Sequence, residues 1–185
     1  MSRLADAVVA ALSVQGANAT DGFGPVTVDV PRDCWAEALG AAYTAGATFF
    51  DLLTAYDLDG DGLAVMVHVA TDDARDHVLL RARVPRDEAT VATATTVYRG
   101  AAWHERETHE MFGIDFVGNE RLDPLLLPAG FGTAPLRKDV VLAARAAREW
   151  PGHKDPSDAA GRPRRRTLPP GVPADWPAAG TGDER

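Results

Sequence analysis

The stretch ATFFDLLTAYDLDGDGLAVMVHVATDDARDHVLLRARV, residues 47–84, decides the fold. It holds three short apolar segments, 47–58, 63–70 and 77–84, parted by the turn-rich DGDG and TDDARD. Asp and Gly supply the backbone angles of tight turns, so three consecutive antiparallel strands are the simplest account. Upstream, Val26, Val28 and Val30 alternate with Thr27 and Asp29 as in a half-buried strand. Pro31 then opens a helix in which Trp35, Leu39 and Tyr43 recur one turn apart before Gly46. Further out, Leu4, Ala7, Val8, Ala11 and Leu12 recur at helical spacing, with Gly16 as their stop. The order is α, β, α, βββ. It predicts an α+β, two-layer domain with helices packed on a small mixed or mostly antiparallel sheet. Strands and helices do not alternate, so the pattern is not that of a doubly wound nucleotide-binding fold.

Downstream, PRDEATVATATTVYRG (85–100) keeps no clean period and reads as an irregular or extended connection. A helix is expected over about 101–112. Beyond Gly113 the chain is punctuated by Pro124, Pro128, Gly130, Gly132 and Pro135, and only VVLAARAAREW (140–150) looks helical. Residues 151–185 carry seven of the thirteen prolines and five glycines. Such a segment buries too little apolar surface to offset its ordering entropy, which predicts a tail that is disordered or ordered by a partner. The expected organisation is a core over 1–115, an extended partner-binding segment with a short helix over 116–150, and the tail.

Composition removes several classes. The net charge of −8 divides into −9 over residues 1–150 and +1 over 151–185. An acidic body repels phosphate backbones, which leaves only Arg164, Arg165 and Arg166 for nucleic acid, too thin a basis for binding it. No run reaches the roughly 18 to 20 apolar residues of a membrane span. Asp6 interrupts the apolar N-terminal stretch, which favours an amphipathic helix over a secretory signal. Cys34 is the only cysteine, so neither an intrachain disulfide nor an all-cysteine cluster can form, as suits a reducing cytosol.

Three stretches invite chemistry. DLDGDG (57–62) opens like a calcium loop, yet the twelfth position, where calcium requires a bidentate glutamate, is His68. A hairpin turn is the better reading. WHERETHEMFGIDF (103–116) crowds two histidines among acidic residues. A zinc-protease helix needs histidines four apart, whereas His104 and His109 are five apart, roughly 140° around a helix. Acid/base chemistry by Glu105, Glu107 or Glu110 competes with a solvated charged face. Trp103, Glu107 and Met111 fall at i, i+4 and i+8, which would set Glu107 within an apolar stripe, matched by Arg106 or by Arg137 and Lys138. An unpaired buried charge costs about 3 to 5 kcal/mol. In PLRKD (135–139), Pro135 stiffens the approach, Leu136 anchors, and Arg137 can clamp a carboxylate with two parallel bonds beside Lys138 and Asp139.

In order and spacing these pieces resemble one family. Trp103, Glu105-Arg106-Glu107, Met111-Phe112-Gly113-Ile114, Phe116, Gly118, Leu122, Leu125-Leu126-Leu127 and Pro135-Leu136-Arg137-Lys138-Asp139 are similar to the signature of the 30-kDa-class, C-type subunit of respiratory complex I, the NADH-quinone oxidoreductase. Two departures stand out: Glu110 where that family usually has aspartate, and Gly118-Asn119-Glu120 with Leu122-Asp123-Pro124 where it usually has Gly-His-Pro and Leu-Arg-Arg.

The resemblance implies a peripheral-arm subunit without catalytic residues, metal or cofactor of its own. FMN, iron-sulfur clusters and quinone would sit in partner subunits. The partners would be the large quinone-cavity subunit of the D type and the terminal-cluster subunits of the B and I types, at the cytoplasmic face of the cell membrane. On this view Trp103, Glu105, Arg106, Glu107, Phe112, Gly113 and residues 135–139 form a docking and bracing motif. Related complexes take electrons from ferredoxin or F420, or are membrane-bound hydrogenases. The reading of a different class is a freestanding metal-dependent hydrolase built on His104, His109 and neighbouring glutamates.

Overall fold

The computed structural model describes residues 2–13, 15–22 and 24–140. The helix expected over 140–150 and the tail over 151–185 lie outside the described residues, apart from Val140. Among the described residues, three α-helices and two sheets make up the fold: α1 (Arg3–Ala11), β1 (Asn18–Thr20), β2 (Val26–Val30), α2 (Trp35–Thr44), β3 (Phe49–Asp57), β4 (Leu63–Ala70), β5 (His77–Val84), β6 (Thr90–Ala92), α3 (Ala101–Phe112) and β7 (Asp115–Val117). The architecture is α+β, as the sequence predicts. None of the helices among the described residues is long and apolar enough to cross a membrane.

The main sheet runs β1-β2-β5-β4-β3. Its β3-β4-β5 meander is antiparallel throughout, while β2 joins β5 in parallel. Period-two burial makes the inner face: Leu53 and Ala55 from β3, Leu63, Val65, Val67 and Val69 from β4, and Val78, Leu80, Ala82 and Val84 from β5 are all buried. Helix α1 adds Leu4 and Val8, and α2 adds Trp35, Ala38, Leu39 and Ala42. Each large aliphatic buried here contributes about 1.5 to 3 kcal/mol against leaving it in water.

The DLDGDG segment turns between β3 and β4. Asp59 and Gly62 take positive φ there, and a Cβ on Gly62 would stand 2.6 Å from the Val84 carbonyl oxygen. Only glycine fits that approach.

Two helix faces differ in phase from the sequence expectation. Tyr43 is half exposed, and Ala42 takes the inward place. Eight residues advance a helix about 80° past two full turns, whereas seven fall about 20° short. On α3 the expected stripe starts from the outer face. The inward stripe of α3 is Ala101, Glu105, Thr108 and Phe112, so Trp103 and Glu107 face away, with Trp103 63% exposed. The buried carboxylate is Glu105.

Within 85–100 the short β6 pairs in parallel with β7, with Val91 opposite Phe116. Both side chains are buried, and they bring the chain beyond α3 back onto the body.

Candidate partner-docking surface

Helix α3 lies against β3, the edge of the main sheet. An edge strand leaves unpaired backbone groups, and His104 covers one such position: its Nδ1 lies 3.2 Å from the Leu53 carbonyl oxygen and 3.4 Å from the Leu53 nitrogen. Its ring also meets Phe50 edge-on. His109 turns elsewhere, with Nδ1 3.1 Å from both the Ile114 carbonyl and Asp115. The two histidines therefore serve different elements of the backbone. Among the described residues no group of three or more His, Cys, Asp or Glu is placed to hold a metal.

Glu105 is fully buried, with no cation among its described hydrogen-bond partners. Three donors meet it: Thr93 Oγ1 at 2.8 and 3.0 Å, the Ala94 N–H at 2.6 Å and Asn119 Nδ2 at 2.8 Å. Because Thr93 donates its only proton to the carboxyl, its 2.7 Å contact with Thr95 Oγ1 must be a bond donated by Thr95. Burial pushes the Glu105 carboxyl upward, and the bonds from Asn119, Ala94 and Thr93 hold it partly back. Glu105 thus binds α3 to the turn after β6 and to the chain after β7. Thr93 N–H closes that junction on the Val117 carbonyl at 2.9 Å.

On another side of α3, Arg106 and Glu110 grip the loop that follows. Arg106 donates to the carbonyls of Asp123 and Pro124, each at 3.1 Å, and its guanidinium lies 5.2 Å from the Trp103 ring centroid. Glu110 accepts the N–H groups of Leu125, Leu126 and Leu127 at 3.2, 2.8 and 2.8 Å. Burial raises the Glu110 carboxyl, but those three donors and nearby Arg106 outweigh it and hold it below its ordinary value.

Gly113 ends α3 in the left-handed conformation, its N–H bonded to the His109 carbonyl at 2.7 Å. PLRKD then returns to the body. Leu136 N–H reaches the Met111 carbonyl at 3.0 Å, and Lys138 N–H reaches Asp57 at 2.8 Å.

Asp57, the first residue of DLDGDG, is an anchor. Arg86 binds both its oxygens at 2.5 and 2.9 Å, and the Asp57 side chain is only 2% exposed. The Arg86 guanidinium holds this carboxyl far below the usual carboxylate range against the cost of burial, helped by the N–H groups of Lys138 and Asp59. Arg86 also meets Asp139 at 3.1 Å. Arg137 does clamp a carboxylate with two bonds, 2.9 and 3.0 Å, but the partner is Asp139 in its own pentapeptide and not Glu107.

Of the motif that the sequence suggests, Glu105 and Arg106 bind neighbouring chain, Trp103 and Glu107 face outward, Phe112 is buried, Gly113 caps α3, and the pentapeptide returns to Met111 and Asp57. The sequence does not mark Asp57, Arg86, Thr93 and Asn119 as brackets, and it offers Glu110 only as an acid/base candidate and a conservative change, not as a clamp on the following loop. The four-residue spacing of Arg106 and Glu110, opposite charges on one helix face, was the available signal.

Held in this way, residues 119–139 present Leu126, Phe131 and Leu136 to solvent, with Trp103 and Val117 also exposed. A cavity of about 330 Å³ opens between α3 and this loop, lined by His109, Glu110, Leu122, Leu127 and Phe131 among others. Exposed large apolar residues on a braced backbone suit burial by another protein.

The sequence profile described as "Respiratory-chain NADH dehydrogenase, 30 Kd subunit" matches residues 28–146. The C-type subunit of F(420)H(2) dehydrogenase from Methanosarcina mazei is 42% identical over 80 residues, 43% of this chain and 51% of that protein. The C-type subunit of NADH-quinone oxidoreductase from Bartonella tribocorum is 52% identical over 66 residues, 35% of this chain and 32% of that protein. The chain thus spans about half the length of the first relative and a third of the second. A chain in the structure of the membrane-bound sulfane sulfur reductase, an archaeal respiratory membrane complex, superposes with a TM-score of 0.66 at 26% identity, covering 75% of this chain and 86% of that one.

Proposed function

Because this chain belongs to the family of the 30 Kd subunit of respiratory-chain NADH dehydrogenase, we propose that it is a structural subunit in the peripheral arm of a proton-translocating quinone reductase. It carries no redox step itself. FMN, iron-sulfur clusters and quinone reside in partner subunits, and the chain meets the membrane's cytoplasmic face only through the assembly. Its partners are the quinone-cavity subunit and the terminal-cluster subunits. The observation that supports this reading best is the grip of Arg106 and Glu110 on five consecutive backbone positions, 123–127, which stiffens a loop carrying exposed Leu126. Ordering a loop before association lowers the entropy cost of binding, which is what a bracing subunit needs.

The test is assembly. Glu107→Ala, at an exposed position on the outer side of α3, and Arg137→Ala should each lower quinone-reductase content in membranes while the chain remains folded. Normal assembly in both variants would remove these residues from the docking surface. A second reading changes only the electron donor to F420 or ferredoxin. The 42% identity to the Methanosarcina F(420)H(2) dehydrogenase subunit favours keeping it, and membranes assayed with NADH and with reduced F420 separate the two.

A further inference from the structure

On the sheet face away from the buried inner side chains, β4 and β5 bring two histidines together. His68 lies opposite Leu79 and His77 opposite Ala70, so the two are diagonal neighbours on one face. His68 Nε2 and His77 Nδ1 are 3.0 Å apart, with the rings 77° from coplanar and their centroids 5.2 Å apart. The facing nitrogens are therefore not a by-product of ring stacking. Behind them, β3 bulges at Asp51, between Phe50 and Leu52, and the Asp51 carboxylate lies 2.8 Å from His68 Nδ1.

We propose that His68 and His77 form a surface site for a divalent transition metal of the zinc class, with Asp51 orienting the first ligand. The Asp51 carboxylate fixes the imidazole proton on His68 Nδ1, which leaves the Nε2 lone pair facing His77. A carboxylate behind a ligating histidine sets its tautomer and holds its ring in place. Two nitrogens each about 2.0 to 2.1 Å from a tetrahedral ion stand roughly 3.3 Å apart, so a few tenths of an ångström separate the present contact from a shared ion. Binding displaces the proton that otherwise lies between the two rings. The His68 side chain is 18% exposed and His77 is exposed, so water can complete the coordination. Two imidazoles with water select zinc, nickel or copper over magnesium or calcium. This site is independent of the docking surface and of the proposed role.

The test is calorimetric titration of zinc alone into the full chain, carried without a polyhistidine tag, at neutral pH, with folding of each variant checked by circular dichroism. One ion should bind the wild type. His68→Ala and His77→Ala should each weaken it by tenfold or more, Asp51→Asn by on the order of tenfold, and His109→Ala not at all. His77 is exposed, so His77→Ala decides the matter even if His68→Ala fails to fold. No zinc binding by the wild type, or unchanged binding in His77→Ala, would reduce the pair to a shared proton and overturn the site.

Discussion

Arg106 and Glu110, one turn apart on α3, hold opposite kinds of backbone group on one continuous loop: Arg106 donates to the carbonyls of Asp123 and Pro124, and Glu110 accepts the next three N–H groups. Irregular backbone is thereby satisfied much as it would be in a helix or sheet, without regular structure. This pair braces the backbone of residues 123–127.

Glu110→Ala should therefore leave the core intact and loosen the loop. Amide hydrogen exchange at Leu125, Leu126 and Leu127 should accelerate by about tenfold to a hundredfold, since hydrogen bonds to a charged group each contribute about 1.5 to 3 kcal/mol. The folded-state value of Glu110 is depressed, so its contribution is present above the ordinary 4.5 and is lost as pH falls through the depressed value. Protection in the wild type should fade on acidification in that window. Exchange rates equal in wild type and variant would mean that the clamp is idle.

Glu105 has the opposite sign. Its folded-state value is raised, so its contribution is fully present below 4.5 and is lost as pH rises through the raised value. Glu105→Gln removes that titration. Measured by urea unfolding, the wild type should lose stability relative to Glu105→Gln as pH rises from about 4 toward neutrality. Glu105→Ala should cost about 2 to 4 kcal/mol at either end, because Thr93, the Ala94 N–H and Asn119 are left unpaired in the interior. Parallel pH profiles for wild type and Glu105→Gln would show that burial does not shift this group.

Asp57→Asn should be the most damaging surface-proximal change. It leaves the Arg86 guanidinium without its bidentate partner and weakens the tie to Lys138, at a cost on the order of 3 kcal/mol. Proteolysis should then cut more readily within 131–140. Because Asp57 is held far below its ordinary 3.8, the wild type should keep this anchor until strongly acidic pH. An unchanged urea midpoint and digestion pattern would contradict the anchoring role.

The meander was legible because its face-to-face alternation survives over three strands and its turns are spelled by Asp and Gly. The inward face of α3 was not. Its stripe of Ala, Glu, Thr and Phe has one large apolar member, so the bulk of exposed Trp103 points a pattern reading to the wrong side of the helix. Strands β6 and β7 are three residues each and pair in parallel across α3. No period can develop over three residues, and what fixes them is the burial of Val91 and Phe116 at the junction. The role of Asp57 is hidden from the sequence for a related reason: its partners, Arg86 and Lys138, lie 29 and 81 residues away.

Trp103→Ala and Leu136→Ala remove side chains that are 63% and 53% exposed, so the melting temperature should move by no more than about a degree or two. Their effect should appear in association instead, as loss of co-purifying subunits. A large fall in melting temperature with association preserved would assign these residues to the fold.

The most direct measurement is recovery of the tagged chain from native membranes with its companions identified by mass spectrometry. Subunits bearing flavin, iron-sulfur clusters and the quinone cavity should accompany the wild type at equal stoichiometry and be depleted with Trp103→Ala. Recovery of the chain alone, turning over a substrate or holding a tightly bound redox group, would contradict a subunit whose contribution is shape and charge.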